Sequence, residues 1–374
     1  MISIILISCH ESALEEIGSP KSFTDIFELF WEGMNRNYVY WDIDSTDWDE
    51  TYHDYFPLFA ALNMNDDRDV IKSVDYFREM TAHLIDGHFS ISFAHPLIDD
   101  VTINPLLERR TKANKLHYFY TYLPYDTAYL DSGYALGLDY TNSGFNNPLI
   151  VLCGTINQDI IYFSCNYFGL VKSYYTNPTG DVYKVLEHFF SLLETLPNAK
   201  AAIIDVRGNP GGDLADLDFI LGRFVDKPLH FGYSQYKRND GRLEFTDWIN
   251  AYITPTVEGK KTSVPLAVLA DNYSASLSET FVMAIQSMPN TLFLGERTWG
   301  ATGPIVDQEI YESGSFKVEN FMSVQASSCK FKSLDNQIYE SNGLIPDIIM
   351  PYSSEAYVSG IDLQLEKILE LLNK

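Results

Sequence analysis

Apolar residues recur at Phe23, Phe27, Phe30 and Met34, a spacing that puts them on one face of a helix. Ser22 stands where it can cap that helix. A second helix is expected over 52–62, after the acidic, aromatic stretch 42–50. A third starts near Asp67 and carries Val70, Val74, Phe77, Thr81 and Leu84 on one stripe. Asp86-Gly87 stops it, as a glycine past a helix end commonly does. Phe89–Phe93 then alternates like a strand. From 96 to 170 the chain turns to Tyr, Asn, Gly and β-formers, with strands expected at 115–122, 149–153 and 159–165.

Strands and helices then alternate: a helix at 182–196, an apolar strand at 201–206, a Gly-rich turn at 207–212 and a helix at 214–225. The polar stretch 233–262 reads as an insertion or exposed loop. A strand at 264–270, a helix at 277–288, a strand at 291–294 and a loop at 295–304 follow. Alternation over 316–326 and a last helix with Ile361, Leu365, Ile368 and Leu372 on one face complete the chain. Such alternation predicts an α/β (α+β) core.

With 374 residues, 46% hydrophobic and 21% charged, the chain can fold as more than one lobe. Its net charge of −25 argues against nucleic acid or an anionic membrane surface as partner. The cysteines Cys9, Cys153, Cys165 and Cys329 show no C-x-x-C spacing, so no metal site of that type is expected, and no cofactor. Cys9 differs from the others. The run Ile2–Ile7 leads into Leu6-Ile7-Ser8-Cys9, which resembles the lipobox of bacterial lipoproteins. In that reading Cys9 carries lipid, and the protein is tethered in a bacterial cell envelope. The run is too short to span a bilayer.

Candidate chemistry concentrates where an apolar strand meets the helix at Asp271-Asn272-Tyr273-Ser274-Ala275-Ser276-Leu277. Unpaired N–H groups at a helix start favour developing negative charge, which suits a nucleophile at Ser276. Ser276 with Glu279 also fits a capping box that only closes the first turn. Arg207-Gly208-Asn209-Pro210-Gly211-Gly212-Asp213 offers either an oxyanion-binding backbone or a tight strand–helix turn. A serine nucleophile needs a base. Of eight histidines, His88, at a helix–strand joint, is the best placed, although a structural role fits it too.

Three segments carry a family resemblance: Arg207–Gly212, Ser274–Glu279 and Glu340-Ser341-Asn342-Gly343-Leu344-Ile345-Pro346-Asp347. In this order they resemble the C-terminal processing (tail-specific) serine proteases, a family that includes the tricorn protease and the retinoid-binding proteins. Leu84-Ile85-Asp86-Gly87-His88 resembles the histidine segment of the tricorn-like branch. In the Ser–Lys branch a lysine lies twenty-five residues after the serine. Here that position is Ala301, so a dyad of that form is excluded.

The resemblance therefore implies Ser276 as nucleophile, His88 as general acid/base and Glu340 as its orienting carboxylate. Leu277 and either Gly211 or Gly212 would hold the oxyanion. The tricorn enzyme has a serine before its histidine, where this chain has Gly87. The resemblance also implies a ClpP/crotonase-like protease core over 171–374. Before it come a leader and tether at 1–20, a helical subdomain at 21–95 that delivers His88, and a β-rich middle segment at 96–170. That segment lacks a Gly-Leu-Gly-like carboxylate loop. The expected activity is endopeptidase cleavage of extended or unfolded polypeptide. The alternative is an inactive relative that binds peptides or apolar ligands in the same groove.

Overall fold

In the computed structural model, Phe23, Phe27, Phe30 and Met34 are all fully buried on the helix Phe23–Asn37. Residues 19–113, 127–144, 147–238, 241–306 and 314–373 are described. The lipobox with Cys9 and the strand expected at 115–122 lie outside them. Ser22 caps the first helix through a complete capping box with Asp25. Helices Trp48–Ala60 and Asp67–Thr81 start on Asp47 and Asp66, whose side chains accept from the first free N–H groups. Among the described residues no helix is long and apolar enough to cross a membrane.

These three helices pack on a four-stranded sheet drawn from both ends of the chain. Its order is Phe316–Val318, Met322–Gln325, Ser90–Phe93, Thr102–Ile103. Phe30 meets Phe77 edge-on at 5.1 Å, and Phe77 lies 6.4 Å from Phe321. Distant segments thus share one core. The alternation expected over 316–326 divides into two strands, which turn at Asn320, a residue with φ 59°. Ser90 pairs with Gln325 antiparallel, so residues just before 90 lie opposite residues just after 325.

A seven-stranded sheet forms the other lobe, in the order Ile348–Ile349, Leu292–Gly295, Leu266–Ala270, Ala201–Asp205, Ile160–Cys165, Asn147–Ile156, Ala135–Gly144. The first five strands run parallel and the last two pair antiparallel. The central strands are apolar throughout because both faces are covered. Ile161, Phe163, Ala202, Ile204, Val268 and Ala270 enter the core under helices Asp181–Thr195 and Leu277–Gln286. Their neighbours Ile160, Tyr162, Ile203, Ala267 and Leu269 enter a second core with Leu365 and Ile368 of helix Leu363–Leu372. Strands 147–156 and 160–165, from the β-rich middle segment, are members of the same sheet as the later strands. The chain is a mixed α+β fold with N-terminal helices.

The stretch 233–262, expected as a loop, departs from that reading. Leu229–Tyr236 and Ile249–Ile253 pair antiparallel, and Cys329–Ser333 joins them in a three-stranded sheet. Most of their side chains are only partly covered, so the apolar alternation that marks a strand is weak there.

Arg207 ties the turn after strand Ala201–Asp205 to the last helix. Its Nε bonds Asp205 Oδ1 at 2.9 Å, and Nη1 bonds Asp362 Oδ2 at 2.8 Å and Gln364 Oε1 at 3.0 Å. All four residues are buried. Removing one partner of such a group leaves uncompensated charge in a low-dielectric site. Arg207→Ala is therefore expected to cost roughly 3–5 kcal/mol, read from urea unfolding.

Candidate active site

Strands Ala201–Asp205, Leu266–Ala270 and Leu292–Gly295 are adjacent and parallel, so the loops after them open on one edge of the sheet. Ligands of open α/β sheets bind in this position, beyond the carboxyl ends of the strands. Ser276 follows the middle strand. It is the N-cap of helix Leu277–Gln286, with φ 57° and ψ −119°. An N-cap ordinarily adopts extended backbone. A non-glycine residue at positive φ costs on the order of 1–3 kcal/mol, and such strain gathers at functional sites.

Its neighbours hold the turn in place. Ser274 Oγ donates to the Val206 carbonyl at 2.7 Å, and Ser278 Oγ donates to the Asn209 carbonyl at 2.8 Å. Both serines are fully buried staples. Ser276 stays partly exposed between them.

Gly211 and Gly212, with φ 106° and 143°, press the preceding loop against this turn. A Cβ on Gly211 would lie 2.6 Å from Ser276 Cβ and 2.9 Å from Leu277 N. One on Gly212 would lie 2.0 Å from the Phe168 carbonyl. Neither position tolerates a side chain. Gly211 N–H donates to Asn209 Oδ1 at 2.8 Å. Of the two glycines, this leaves Gly212 as the one whose N–H can serve a ligand. Leu277 opens the helix, where its N–H has no intrahelical acceptor.

Glu279 does more than close the helix turn. Its Oε2 accepts from Ser276 N–H at 3.1 Å and from Ala301 N–H at 2.8 Å. Its Oε1 accepts from Thr298 Oγ1 at 2.6 Å and Gly300 N–H at 2.7 Å. One buried carboxylate therefore joins the Ser276 turn to the loop 298–301. Burial raises the Glu279 pKa, and these donors oppose the rise.

Loop 298–301 in turn packs on the histidine segment. A Cβ on Gly87 would lie 2.3 Å from the Gly300 carbonyl and 2.8 Å from Ala301 Cβ. Ala301 is buried, at the position where the Ser–Lys branch has its lysine. The space for a longer side chain is taken by the backbone that carries His88.

His88 follows at once, with its backbone N–H on Asp86 Oδ1 at 2.9 Å. The strand register puts it beside Ser327, whose Oγ lies 3.4 Å from His88 Nδ1. Ser327 also gives Asp86 two hydrogen bonds of 2.8 Å, one from N–H and one from Oγ. Glu340 accepts from Gly87 N–H at 2.6 Å, from Thr302 N–H and Gly303 N–H at 2.8 Å, and from Thr302 Oγ1 at 2.9 Å. Ligating atoms of Asp86, His88 and Glu340 all lie within 4.8 Å of one another.

That trio has the composition of a metal site. However, a carboxylate offers about four lone-pair positions, and Glu340 already receives four protein donors. Asp86 receives three. The cluster is better suited to moving a proton than to holding a cation.

Burial pushes both carboxyls up, Asp86 to about 6 and Glu340 to about 8, and Asp86 adds to the rise at Glu340 by repulsion. Burial also pushes the His88 imidazole down to about 4, while a hydrogen bond to the Gly303 backbone works the other way. Ionisation of the two carboxyls is disfavoured only in the folded chain. Their contribution to folding is therefore complete below ordinary carboxylate pKa values and is lost as pH rises through about 6 and about 8. His88, kept neutral, contributes above 6.5 and loses that contribution as pH falls towards about 4. The melting temperature is expected to fall between those two carboxyl values, and Glu340→Gln is expected to flatten the fall. Thermal scans in a series of buffers check this.

The structure thus brings His88 and Glu340 together and connects Ser276 to them through Glu279, Ala301 and Gly87. Asp86 and Ser327 were not read from the sequence as site residues. Asp86 stands two residues before His88, a usable signal. Ser327 reaches His88 only through strand pairing.

Residues 166–350 match the sequence profile of peptidase family S41. A segment of 173 residues is 27% identical to the nisin-resistance protein of Lactococcus lactis subsp. lactis, covering 45% of this chain and 52% of that protein. Another, of 187 residues, is 27% identical to the tricorn protease of Thermoplasma volcanium, covering 50% of this chain and 16% of that enzyme. The matched segments span about half, or less, of these relatives. Among solved structures, a protein of Parabacteroides merdae ATCC 43184 described as a peptidase superposes with a TM-score of 0.70 at 24% identity. That match covers 94% of this chain and 97% of the other, a likeness of fold. Residues 166–350 are thus similar to peptidase family S41.

Proposed function

We propose that this protein is a serine endopeptidase of the tricorn-like Ser–His–Glu type, with a ClpP/crotonase-like core, acting on extended or unfolded polypeptide. One observation carries the reading. A single oxygen of Glu279 accepts from the N–H of Ser276 and from that of Ala301, and Ala301 packs on Gly87, next to His88. The strained serine and the partly buried imidazole are thereby parts of one braced unit.

In this reading Ser276 Oγ attacks the scissile carbonyl carbon as His88 Nε2 takes its proton. The carbonyl oxygen becomes an oxyanion, held by the N–H groups of Leu277 and Gly212. One such donor is typically worth on the order of 10²–10³ in turnover. Collapse of the intermediate breaks the C–N bond, and His88 gives the proton to the departing amine. Water, deprotonated by His88, then hydrolyses the acyl ester and restores Ser276. Ala301 supports the histidine as base, since no lysine stands at that position. Cys9 would tether the enzyme in a bacterial envelope.

The test is cleavage of a denatured polypeptide such as casein by the whole chain. Peptide fragments should accumulate, with folded globular proteins cut far more slowly. No fragments at any pH from mildly acidic to mildly alkaline would count against the proposal.

A further inference from the structure

We infer that Ser327, held by Asp86, is a positioning residue that sets the tautomer of His88. The inference rests on the reading of Ser276 and His88 as nucleophile and base. A serine hydroxyl has one proton and two lone pairs. Ser327 Oγ lies 2.8 Å from Asp86 Oδ1 and 3.2 Å from the Gly303 carbonyl, both of which can only accept from it when Asp86 is ionised. Its proton is therefore committed, and towards His88 Nδ1, 3.4 Å away, it presents a lone pair. A lone pair facing Nδ1 favours a proton there, which leaves the Nε2 lone pair as the base.

Glu340 does not do this directly. The hydrogen bonds it accepts come from Gly87 at Oε1 and from Thr302 and Gly303 at Oε2, and among the described residues none joins it to the imidazole. Nor can residue 87 supply a hydroxyl, because a Cβ there would strike the Gly300 carbonyl at 2.3 Å. The hydroxyl comes instead from the strand opposite. Asp86 fixes it twice, by accepting from both the Oγ and the N–H of Ser327.

The experiment compares wild type, Ser327→Ala, Asp86→Asn and the double variant in the full chain. It reads casein turnover, fluorophosphonate reaction at Ser276 and the imidazole ¹⁵N shifts of His88. Each single change should lower kcat on the order of 10²-fold with KM nearly unchanged, the range of a misdirected general base. The double variant should be no worse than the poorer single, because the two residues act as a unit. The His88 shifts should report the Nδ1–H tautomer in wild type and a mixture in Ser327→Ala. Asp86→Asn supplies the same comparison if Ser327→Ala alters folding. Wild-type kcat in a folded Ser327→Ala, losses that multiply in the double variant, or an unchanged tautomer would overturn the inference while leaving Ser276 and His88 in place. An unreactive wild type would remove the reading beneath it.

Discussion

Ser276→Ala is expected to abolish fluorophosphonate labelling and to lower polypeptide turnover by roughly 10⁴–10⁶-fold, the loss seen when a serine nucleophile is removed. Folding should survive the change. The N–H groups of Glu279 and Thr280 bond the Ser276 backbone carbonyl, at 2.9 and 3.1 Å, and Ser276 N–H bonds Glu279. None of these needs the hydroxyl. A residue that served only as a helix cap would show the opposite pattern, losing about 1 kcal/mol of stability and no activity. His88→Ala should be comparably severe, and the double variant should add little.

Glu279→Ala is expected to cost both activity and stability. It leaves four buried donors without an acceptor: Ser276 N–H, Ala301 N–H, Gly300 N–H and Thr298 Oγ1. At about 1–3 kcal/mol for each buried group left unpaired, the total exceeds roughly 4 kcal/mol unless the loop moves to find water. If it moves, Ala301 withdraws from Gly87 and the bracing of His88 against Ser276 is lost. Glu279→Gln should rescue little, because each oxygen accepts two donors and the amide would turn an N–H₂ group towards two of them. Urea unfolding reads the first effect, and the rate of fluorophosphonate labelling reads the second.

The sequence carried the elements whose burial is simple. Phe23, Phe27, Phe30 and Met34 face one core, and the helical period shows it. Ala201–Asp205 and Leu266–Ala270 are buried on both sides, and their apolar runs, interrupted only by Asp205, show that. The strands Leu229–Tyr236 and Ile249–Ile253 were hidden, since partly covered faces admit polar and aromatic residues in any order. Within the site, the capping box of Ser276 and Glu279 was legible, but its reach was not. Glu279 meets Thr298, Gly300 and Ala301 only after two strands of the sheet align their loops. Ser327 stands 239 positions from His88, and only the pairing of Ser90 with Gln325 brings the two together.

One measurement bears most directly on the account: fluorophosphonate labelling of wild type, Ser276→Ala and His88→Ala, with the modified peptide identified by mass spectrometry. The account predicts one adduct, on Ser276, in wild type. It predicts none in Ser276→Ala and labelling slowed on the order of 10³-fold or more in His88→Ala. Labelling that persists in Ser276→Ala, or that is unchanged in His88→Ala, would contradict it.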